Sequence, residues 1–209
     1  MTEEWRLVGK ELYAIQSDPE QRQDVAAENP KVATSLSKAY ETWWEEISEK
    51  SEQYAPFVMD SSQQDTITLS SQNWHGDTVP YNQHHVRTAM EGNGFWVVEI
   101  IESGSYEITV RRWPKGVSAP LGGLAELGPF SPAKHNMNNR MIAQPTTAIP
   151  VKSVRLKVGD YDQTVAVRTS DEQVAFSAYL SVGEHKVQTW LNTDAGDNHG
   201  AYYVYLRKI

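Results

Sequence analysis

The chain contains no cysteine among its 209 residues. Disulfide bonds, thiolate nucleophiles and zinc–thiolate sites are therefore excluded, because each of them requires a cysteine sulfur. The compartment stays open, since an oxidising environment permits disulfides without requiring them. Long apolar runs are absent as well, and no stretch approaches the roughly 20 residues that a helix needs to span a membrane. We therefore expect no membrane as a partner.

Positive charge is scarce. The 19 Lys and Arg residues are outnumbered by 27 Asp and Glu residues, which gives a net charge of −8. An acidic protein without a basic run repels the phosphates of nucleic acid, so we expect no nucleic-acid partner. The opening residues MTEEWRLVGK are acidic and lack the apolar segment of a signal peptide. They indicate either a cytosolic protein or an internal segment of a longer chain that begins with an added methionine.

A change of pattern near residue 55 predicts two domains, residues 1–55 and 56–209. The first domain opens with the short β-prone runs WRLV and ELYAI around Gly9–Lys10, a residue pair typical of tight turns. A two-stranded ribbon is marginal by itself. We therefore expect the ribbon to join a sheet, either in the second domain or in another module.

Two segments of the first domain carry helix-start signals. Asp18–Pro19 and Asn29–Pro30 each place a capping side chain before a proline, which suits the first position of a helix. Behind the second signal, apolar residues recur at helical spacing and predict an amphipathic helix over about residues 30–50. Trp43 and Trp44 are adjacent and project about 100° apart. One is expected in the core, and the other is expected against the sandwich or an absent module.

The second domain consists of short β-prone runs separated by Gly, Pro, Asn and Asp. Several runs alternate apolar and polar residues, which is typical of strands with one solvated face. We predict a mainly β domain, an antiparallel two-sheet β-sandwich of about eight strands, jelly-roll-like, with no helix after residue 55. A Gly-, Pro- and Asn-rich segment at about 114–140 is expected to be a long functional or disordered loop. The predicted strands are Thr66–Ser70, Phe95–Ile101, Tyr106–Trp113, Lys152–Val158, Gln163–Arg168, Gln173–Leu180, His185–Leu191 and Ala201–Arg207.

The segment from Trp5 to Trp44 runs from a strand through Glu-Leu-Tyr and Asp-Pro-Glu into a helix. It resembles the end of the catalytic module of the sulfatase family, whose members share the alkaline-phosphatase-like α/β fold. The aspartate that commonly follows the tyrosine in that family is Ala14 here. The matching residues are Glu11, Leu12, Tyr13, Asp18, Pro19 and, loosely, Asp24.

The phrases SQNWHGD, GNGFWVVEI, SGSYEITVRRWP and GAYYVYL of the second domain resemble the β-rich C-terminal extension of some bacterial arylsulfatases. The family's nucleophile lies in a Cys/Ser-x-Pro-x-Arg segment, and the two serine candidates, Ser118 and Ser131, do not fit it. No counterpart of the family's calcium ligands is found in the sequence. The resemblance thus implies the non-catalytic C-terminal part of an exported sulfate-ester hydrolase, whose formylglycine and calcium belong to a missing N-terminal module.

The densest cluster of polar and aromatic residues is NWHGDTVPYNQHHV, residues 73–86. Imidazole and carboxylate groups suit zinc or a similar metal, and a histidine beside a nucleophile would act as a general base. A third interpretation is a structured loop that Trp74 and Tyr81 anchor in the core. A fourth is a glycan site, in which exposed aromatic faces stack on sugar rings. The candidate metal ligands are His75, Asp77, His84 and His85.

Further candidates lie on the strands and in a late loop. Trp96 is expected in the core, whereas Trp113, at a Trp–Pro boundary, and Trp190, which alternates with polar residues, are expected to face outward. The pair Arg111–Arg112 is either a solvated edge or a contact for an anionic ligand. A Gly-containing turn either offers oxygen ligands to calcium or simply closes a hairpin. Its weak metal candidates are Asp194, Asp197 and Asn198.

Three functions remain open from the sequence. The leading hypothesis is an accessory domain that packs against a sulfatase catalytic module or holds a sulfated glycan for it. The alternatives are a stand-alone carbohydrate-binding sandwich and a purely structural or oligomerisation domain. No catalytic residue is assigned. The candidate substrate-binding residues are Trp74, His75, Asp77, Tyr81, His84, Arg111, Arg112 and Trp190.

Overall fold

The computed structural model describes residues 1–48, 53–125, 146–196 and 198–209. They form two compact units, Met1–Tyr54 and Ala55–Ile209, whose division lies one residue from the predicted boundary. Asp197, Ser131 and most of the predicted long loop lie outside the described residues. Within the described ranges, no helix is long and apolar enough to cross a membrane.

The first unit opens with a β-hairpin, as predicted. Strands β1 (Trp5–Val8) and β2 (Glu11–Ala14) pair antiparallel, and the turn between them requires Gly9, whose φ is +60°. The chain then returns past β2: the backbone N–H of Leu12 donates to the Asp24 carboxylate at 2.9 Å. Leu12 is fully buried. Within the described residues, a loop rather than a further strand completes this ribbon.

The two helix-start signals have different outcomes. Asn29–Pro30 begins helix α1 (Pro30–Ser48), which confirms the predicted helix. The prediction of a helix that begins at Asp18–Pro19 is wrong. The Asp18 carboxylate instead accepts the backbone N–H groups of Arg22 and Gln23 at 2.8 and 2.9 Å and closes a turn.

The apolar stripe of α1 is exposed. No residue of the helix is buried, and Tyr40, Trp43 and Trp44 are 57%, 51% and 48% exposed. Their ring centroids lie 5.8 to 6.4 Å apart, so the three rings form one aromatic cluster. The expectation that one of the two tryptophans lies in a core is therefore wrong.

The second unit is a two-sheet sandwich, which confirms the predicted mainly β fold. Its strands are β3 (Phe57–Met59), β4 (Thr66–Ser70), β5 (Phe95–Ile100), β6 (Gly104–Arg111), β7 (Ser153–Val158), β8 (Tyr161–Ala166), β9 (Gln173–Leu180), β10 (Gly183–Asn192) and β11 (Tyr203–Lys208). One sheet has the order β3-β5-β10-β7-β8, and the other has the order β4-β11-β6-β9. All neighbouring pairs are antiparallel except β3 and β5, which are parallel.

Short elements account for the differences from the predicted fold. All eight predicted strands are present with ends that differ by a few residues, but β3 has only three residues, too few to show an alternation. Helix α2 (Gln83–Arg87) and a 3-10 turn at Ser71–Asn73 contradict the expectation of no helix after residue 55. The Asn82 side chain begins α2 by accepting the His85 N–H at 3.0 Å. A single capped turn lacks the periodicity on which a sequence prediction depends.

The core lies between the two sheets and is lined by one face of most strands, whereas the edge strand β8 has no buried residue. In β6, Tyr106, Ile108 and Val110 are fully buried, as their alternation predicts. Trp96 is fully buried on the facing sheet, and its indole N–H donates to the Ser70 carbonyl at 2.8 Å. This bond ties β5 to the end of β4, where the loop 73–86 begins.

Candidate functional site

Trp74, a candidate for sugar stacking, lies in the core instead. It is 5% exposed, and its ring stacks on Tyr202 at 6.3 Å and meets Trp96 edge-on at 5.7 Å. The backbone passes so close that a Cβ added to Gly94 or Gly200 would lie 2.7 or 2.6 Å from Trp74. The ring cannot reach a ligand, which corrects its assignment to the binding site. Trp74 is an anchor of the loop.

Arg112 is buried as well, which corrects both interpretations of the Arg111–Arg112 pair. Its guanidinium is enclosed by backbone carbonyls, and this burial lowers the pKa of Arg112 to about 10. It lies over the Trp113 ring at 4.6 Å. Trp113 is also buried rather than outward, because β6 ends at Arg111 and its alternation does not continue. The carbonyl acceptors of Arg112 are those of Val86, Arg87, Gly123 and Thr147.

Arg111 is held by a loop that folds over the outer face of β6. Its guanidinium donates to the carbonyls of Trp113 and Val117 at 3.1 and 3.0 Å. It also donates to the side chain of Gln173 at 2.6 Å and lies 3.5 Å from the Glu172 carboxylate. With these partners and 6% exposure, Arg111 is a structural residue rather than an anion contact.

The histidines of the loop do not converge on one point. His75 pairs with Phe95 in an isolated β-bridge, and their rings lie 5.4 Å apart. His84 and His85 lie on α2 rather than on a strand, and Asp77 is exposed. In the described part of the chain, no group of three or more His, Cys, Asp or Glu side chains is arranged to hold a metal ion.

The weak calcium candidates gain no support. The Asp194 carboxylate is exposed and lies 3.4 Å from the Lys152 ammonium, so its charge already has a partner. Asn198 is exposed, and Asp197 lies outside the described residues. The turn interpretation accounts for what is described of this loop.

Trp190 lies on the outer face of the five-stranded sheet, as its alternation predicts. The Arg155 guanidinium covers its ring at 4.6 Å, and two hydrogen bonds to the Asp162 carboxylate, at 2.7 and 2.6 Å, hold Arg155 there. The Lys186 ammonium covers the Phe95 ring in the same way at 4.5 Å. A groove of about 400 Å³ beside these rings includes charged residues in its lining. A positively charged group thus lies over the Trp190 ring and another lies over the Phe95 ring.

A second depression lies where β4 and β11 meet the loop 73–86, and we name it the Tyr81–Tyr203 cleft. Its volume is about 290 Å³, and none of its lining residues carries a carboxylate, an ammonium or a guanidinium group. Tyr81 is 64% exposed, so the expectation that it anchors the loop in the core is wrong. The cleft is lined by Ser70, Ser71, Gln72, Pro80, Tyr81, Asn82, Gln83, Val86 and Tyr203.

Hydrogen bonds between distant parts of the chain fix the walls of the cleft. The Ser71 hydroxyl donates to the Pro80 carbonyl at 2.6 Å, which joins the 3-10 turn after β4 to the segment before α2. The Gln83 amide donates to the Tyr203 hydroxyl at 2.6 Å, which joins α2 to β11. The cleft is therefore formed by the fold rather than by one local motif.

His85 orients the exposed ring of the cleft. The backbone N–H of Tyr81 donates to His85 Nδ1 at 3.3 Å, and the two rings meet at 86° with centroids 4.6 Å apart. Burial, with a smaller contribution from His84, lowers the pKa of His85. The imidazole is neutral at pH 7, so Nδ1 remains a hydrogen-bond acceptor and the Tyr81 ring keeps its position.

The cleft combines an aromatic surface with neutral polar groups. The Tyr203 hydroxyl accepts from Gln83 and keeps its own proton for donation, because burial raises the pKa of Tyr203. The amides of Gln72 and Asn82 add donors and acceptors. This arrangement suits an uncharged ligand that is rich in hydroxyl groups.

Sequence reasoning identified Tyr81 but missed the rest of the cleft. Gln72 lies just before the polar and aromatic cluster 73–86, and Asn82 and Gln83 lie inside it without distinction from its other polar residues. Tyr203 carries no signal in the sequence, because the run AYYVYL is apolar or aromatic throughout. In the structure Tyr203 is half-buried at the cleft, while its neighbours Tyr202 and Val204 are buried.

No family model matches this chain, and no curated protein matches it. Three solved structures show low similarity. A ruminal GH26 endo-β-1,4-mannanase is 15% identical, with 76% of this chain and 27% of that chain covered and a TM-score of 0.36. CBM35 from Cellvibrio japonicus Abf62 is 14% identical, with 68% of this chain and 91% of that chain covered and a TM-score of 0.37. A family 35 carbohydrate-binding module from Clostridium thermocellum is 14% identical, with 70% of this chain and 90% of that chain covered and a TM-score of 0.29.

This chain spans 27% of the length of the mannanase chain and about nine tenths of each of the two modules. At TM-scores this low, the likenesses carry no argument about function.

Replacing Arg112 with Met is expected to destabilise the second unit by about 2–5 kcal/mol, because it removes a buried charged donor that four backbone carbonyls share. Arg155→Met removes a partly exposed cation and is expected to destabilise the unit much less, because ion pairs at the surface contribute little. Urea unfolding followed by tryptophan fluorescence measures both variants. A loss for Arg112→Met no larger than for Arg155→Met would contradict the structural role of Arg112.

Proposed function

We propose that the second unit is a carbohydrate-binding β-sandwich that holds neutral saccharides in the Tyr81–Tyr203 cleft. The observation that carries the proposal is the lining of the cleft, which combines phenol rings, amides and hydroxyls without a charged side chain. The volume, about 290 Å³, is close to the lower end of ligand pockets, roughly 300 Å³.

The chemistry of a sugar ring matches this lining. A pyranose has a face of C–H groups that packs against an aromatic ring and a rim of hydroxyls that need directional partners. Tyr81 offers the exposed ring, while Tyr203, Gln72 and Asn82 offer the partners for hydroxyls. Because His85 already positions the Tyr81 ring, less side-chain freedom is lost on binding.

The outer face of the five-stranded sheet is a weaker candidate for a neutral sugar. A sugar ring on Trp190 would first have to displace the Arg155 guanidinium, which two hydrogen bonds tie to Asp162. This face carries cations, so it is where a sulfated glycan, the ligand implied by the sulfatase resemblance, would be expected to bind instead. In this proposal neutral saccharides bind in the Tyr81–Tyr203 cleft, and a sulfated glycan would bind on the outer face of the five-stranded sheet.

Among neutral oligosaccharides of glucose, mannose and xylose, at least one is expected to bind the intact chain in isothermal titration calorimetry. Tyr81→Ala is expected to weaken that binding by about tenfold to a hundredfold, because the ring contact and its buried area contribute about 1.5–3 kcal/mol. Tyr203→Phe removes a single hydroxyl and is expected to weaken binding by about threefold to tenfold.

The matched controls for this experiment are exposed aromatic residues outside the cleft. Tyr179→Ala, at a tyrosine that is 70% exposed, and Trp190→Ala are both expected to leave the affinity unchanged. Loss of binding in Trp190→Ala but not in Tyr81→Ala would move the site to the sheet face. Binding of sulfated oligosaccharides alone would also contradict the proposal.

Binding in the cleft is expected to weaken in acid. The folded-state pKa of His85 lies below the ordinary histidine value of about 6.5. The imidazole is therefore neutral at pH 8 and at pH 7, and it gains a proton only when the pH falls below this lowered pKa. Protonation of Nδ1 removes the acceptor of the Tyr81 N–H. Calorimetry from pH 8 downwards should give a constant affinity that falls once the pH passes below the lowered pKa of His85, and His85→Gln should flatten the profile. An equal fall in His85→Gln would show that another group is responsible.

We also propose that the first unit packs the exposed face of α1 against the catalytic module of a sulfatase-like hydrolase. Among the described residues of Met1–Tyr54, Leu12 alone is buried. So little buried apolar surface does not offset the entropy of ordering this unit, and a covering partner would supply the rest. In this proposal the partner module holds formylglycine and calcium and hydrolyses sulfate esters. The face consists of Tyr40, Trp43, Trp44 and Ile47.

An antibody raised against residues 60–209 tests this second proposal. Material that it precipitates from the lysate or secreted fraction of the native organism is expected to hydrolyse an aryl sulfate, whereas the isolated chain is expected to have no such activity. The double variant Trp43→Ser/Trp44→Ser should bind less of an apolar fluorescent dye than the unaltered chain. A precipitate without sulfatase activity, or hydrolysis by the isolated chain, would contradict it.

A further inference from the structure

Strand β9 forms a free edge of the four-stranded sheet. All eight of its residues pair with β6, from Gln173 opposite Arg111 to Leu180 opposite Gly104. In the sheet order β4-β11-β6-β9 it stands last, and within the described residues no strand lies on its other side. Its outer row of backbone N–H and C=O groups is therefore available to a further strand.

The sequence of β9 lacks the features that usually protect a sheet edge. The run QVAFSAYL contains no charged residue and no proline, although charges and prolines are the common means of preventing edge pairing. The other sheet edges differ from it. β3 has three residues, β4 has five, and β8 carries Asp162. Thus β9 is the longest edge strand and also an uncharged one.

The two faces of β9 leave room for a neighbour in the plane of the sheet. Inward residues alternate strictly with outward ones, and the inward set is buried. On the outward side, Ala175 and Ser177 are small and Tyr179 is 70% exposed. A strand added to this edge would meet no bulky or charged obstacle at its centre.

We propose that β9 pairs antiparallel with β9 of a second copy of this chain. A two-fold axis through Phe176 would place Ala175 opposite Ser177 of the second copy, and Gln173 opposite Tyr179 of the second copy. On the outward face, small side chains then meet beside the axis and larger ones at the ends, while Phe176 stays on the inward, buried face. Because β9 is uncharged, pairing it with itself brings no like charges together. The contact is self-complementary, as a two-fold interface requires.

The dimer would join the two four-stranded sheets into one continuous sheet of eight strands. It is independent of the saccharide proposal, since no residue of β9 lines the Tyr81–Tyr203 cleft. Failure of either proposal therefore leaves the other unaffected.

The mass of the intact chain in solution, measured by sedimentation equilibrium, tests the proposal. The unaltered chain is expected to reach twice the monomer mass of 23.6 kDa as its concentration rises. The double variant A175K/S177K places ammonium groups opposite each other across the two-fold axis. It is expected to raise the dimer dissociation constant by about tenfold or more. Circular dichroism checks that the variant keeps its strand content.

A charge swap and a control at the opposite edge make the test specific. The variant A175E/S177E should also be weakened as a dimer, while its mixture with A175K/S177K should form heterodimers. Thr68→Lys, on β4 at the other edge of the same sheet, should leave the mass unchanged. A monomer at every concentration, open-ended association of the unaltered chain, or a dimer that only Thr68→Lys disrupts would overturn the proposal.

Discussion

The packing of Trp74 is the contact on which the candidate site depends. Its ring lies against Trp96 and Tyr202 in the core, and the backbones of Gly94 and Gly200 leave no space for a side chain beside it. This anchor fixes the start of the loop 73–86 to both sheets. A few residues further on, the same loop turns Tyr81 outward. A buried aromatic ring that is well packed thus allows a second ring to be presented to solvent in a fixed position.

The distribution of charge explains why the cleft is neutral. Two arginines of the sandwich have their partners within the protein: Arg112 is enclosed by carbonyls, and Arg155 lies between Trp190 and Asp162. The cleft is left with amides and hydroxyls. Neither arginine lines the cleft, so an anionic ligand would meet no positively charged side chain in the lining. The geometry therefore favours a hydroxyl-rich ligand over a sulfated one at this position.

Alternation allowed the sandwich to be predicted, because burial of one strand face imposes a period of two on the residues. Tyr106, Ile108 and Val110 show this directly. The site was less predictable, because it depends on contacts between residues far apart in the chain. Trp74 and Tyr81 are both aromatic residues of one loop, and distant residues, the rings of Trp96 and Tyr202 and two glycines, determine that Trp74 is the buried one. The pair Arg111–Arg112 fits a solvated edge equally well until a loop and α2 cover it.

The most direct test of the central claim is an NMR titration of the ¹⁵N-labelled chain with the neutral oligosaccharide that binds it most tightly. If the saccharide binds in the cleft, the largest amide shifts fall on Gln72, on the segment 81–83 and on Tyr203, which come together only there. Shifts confined to Phe95, Gln188 and Trp190 would place the ligand on the sheet face. That result, or the absence of any shift at saturating saccharide, would contradict the assignment of the cleft as the binding site.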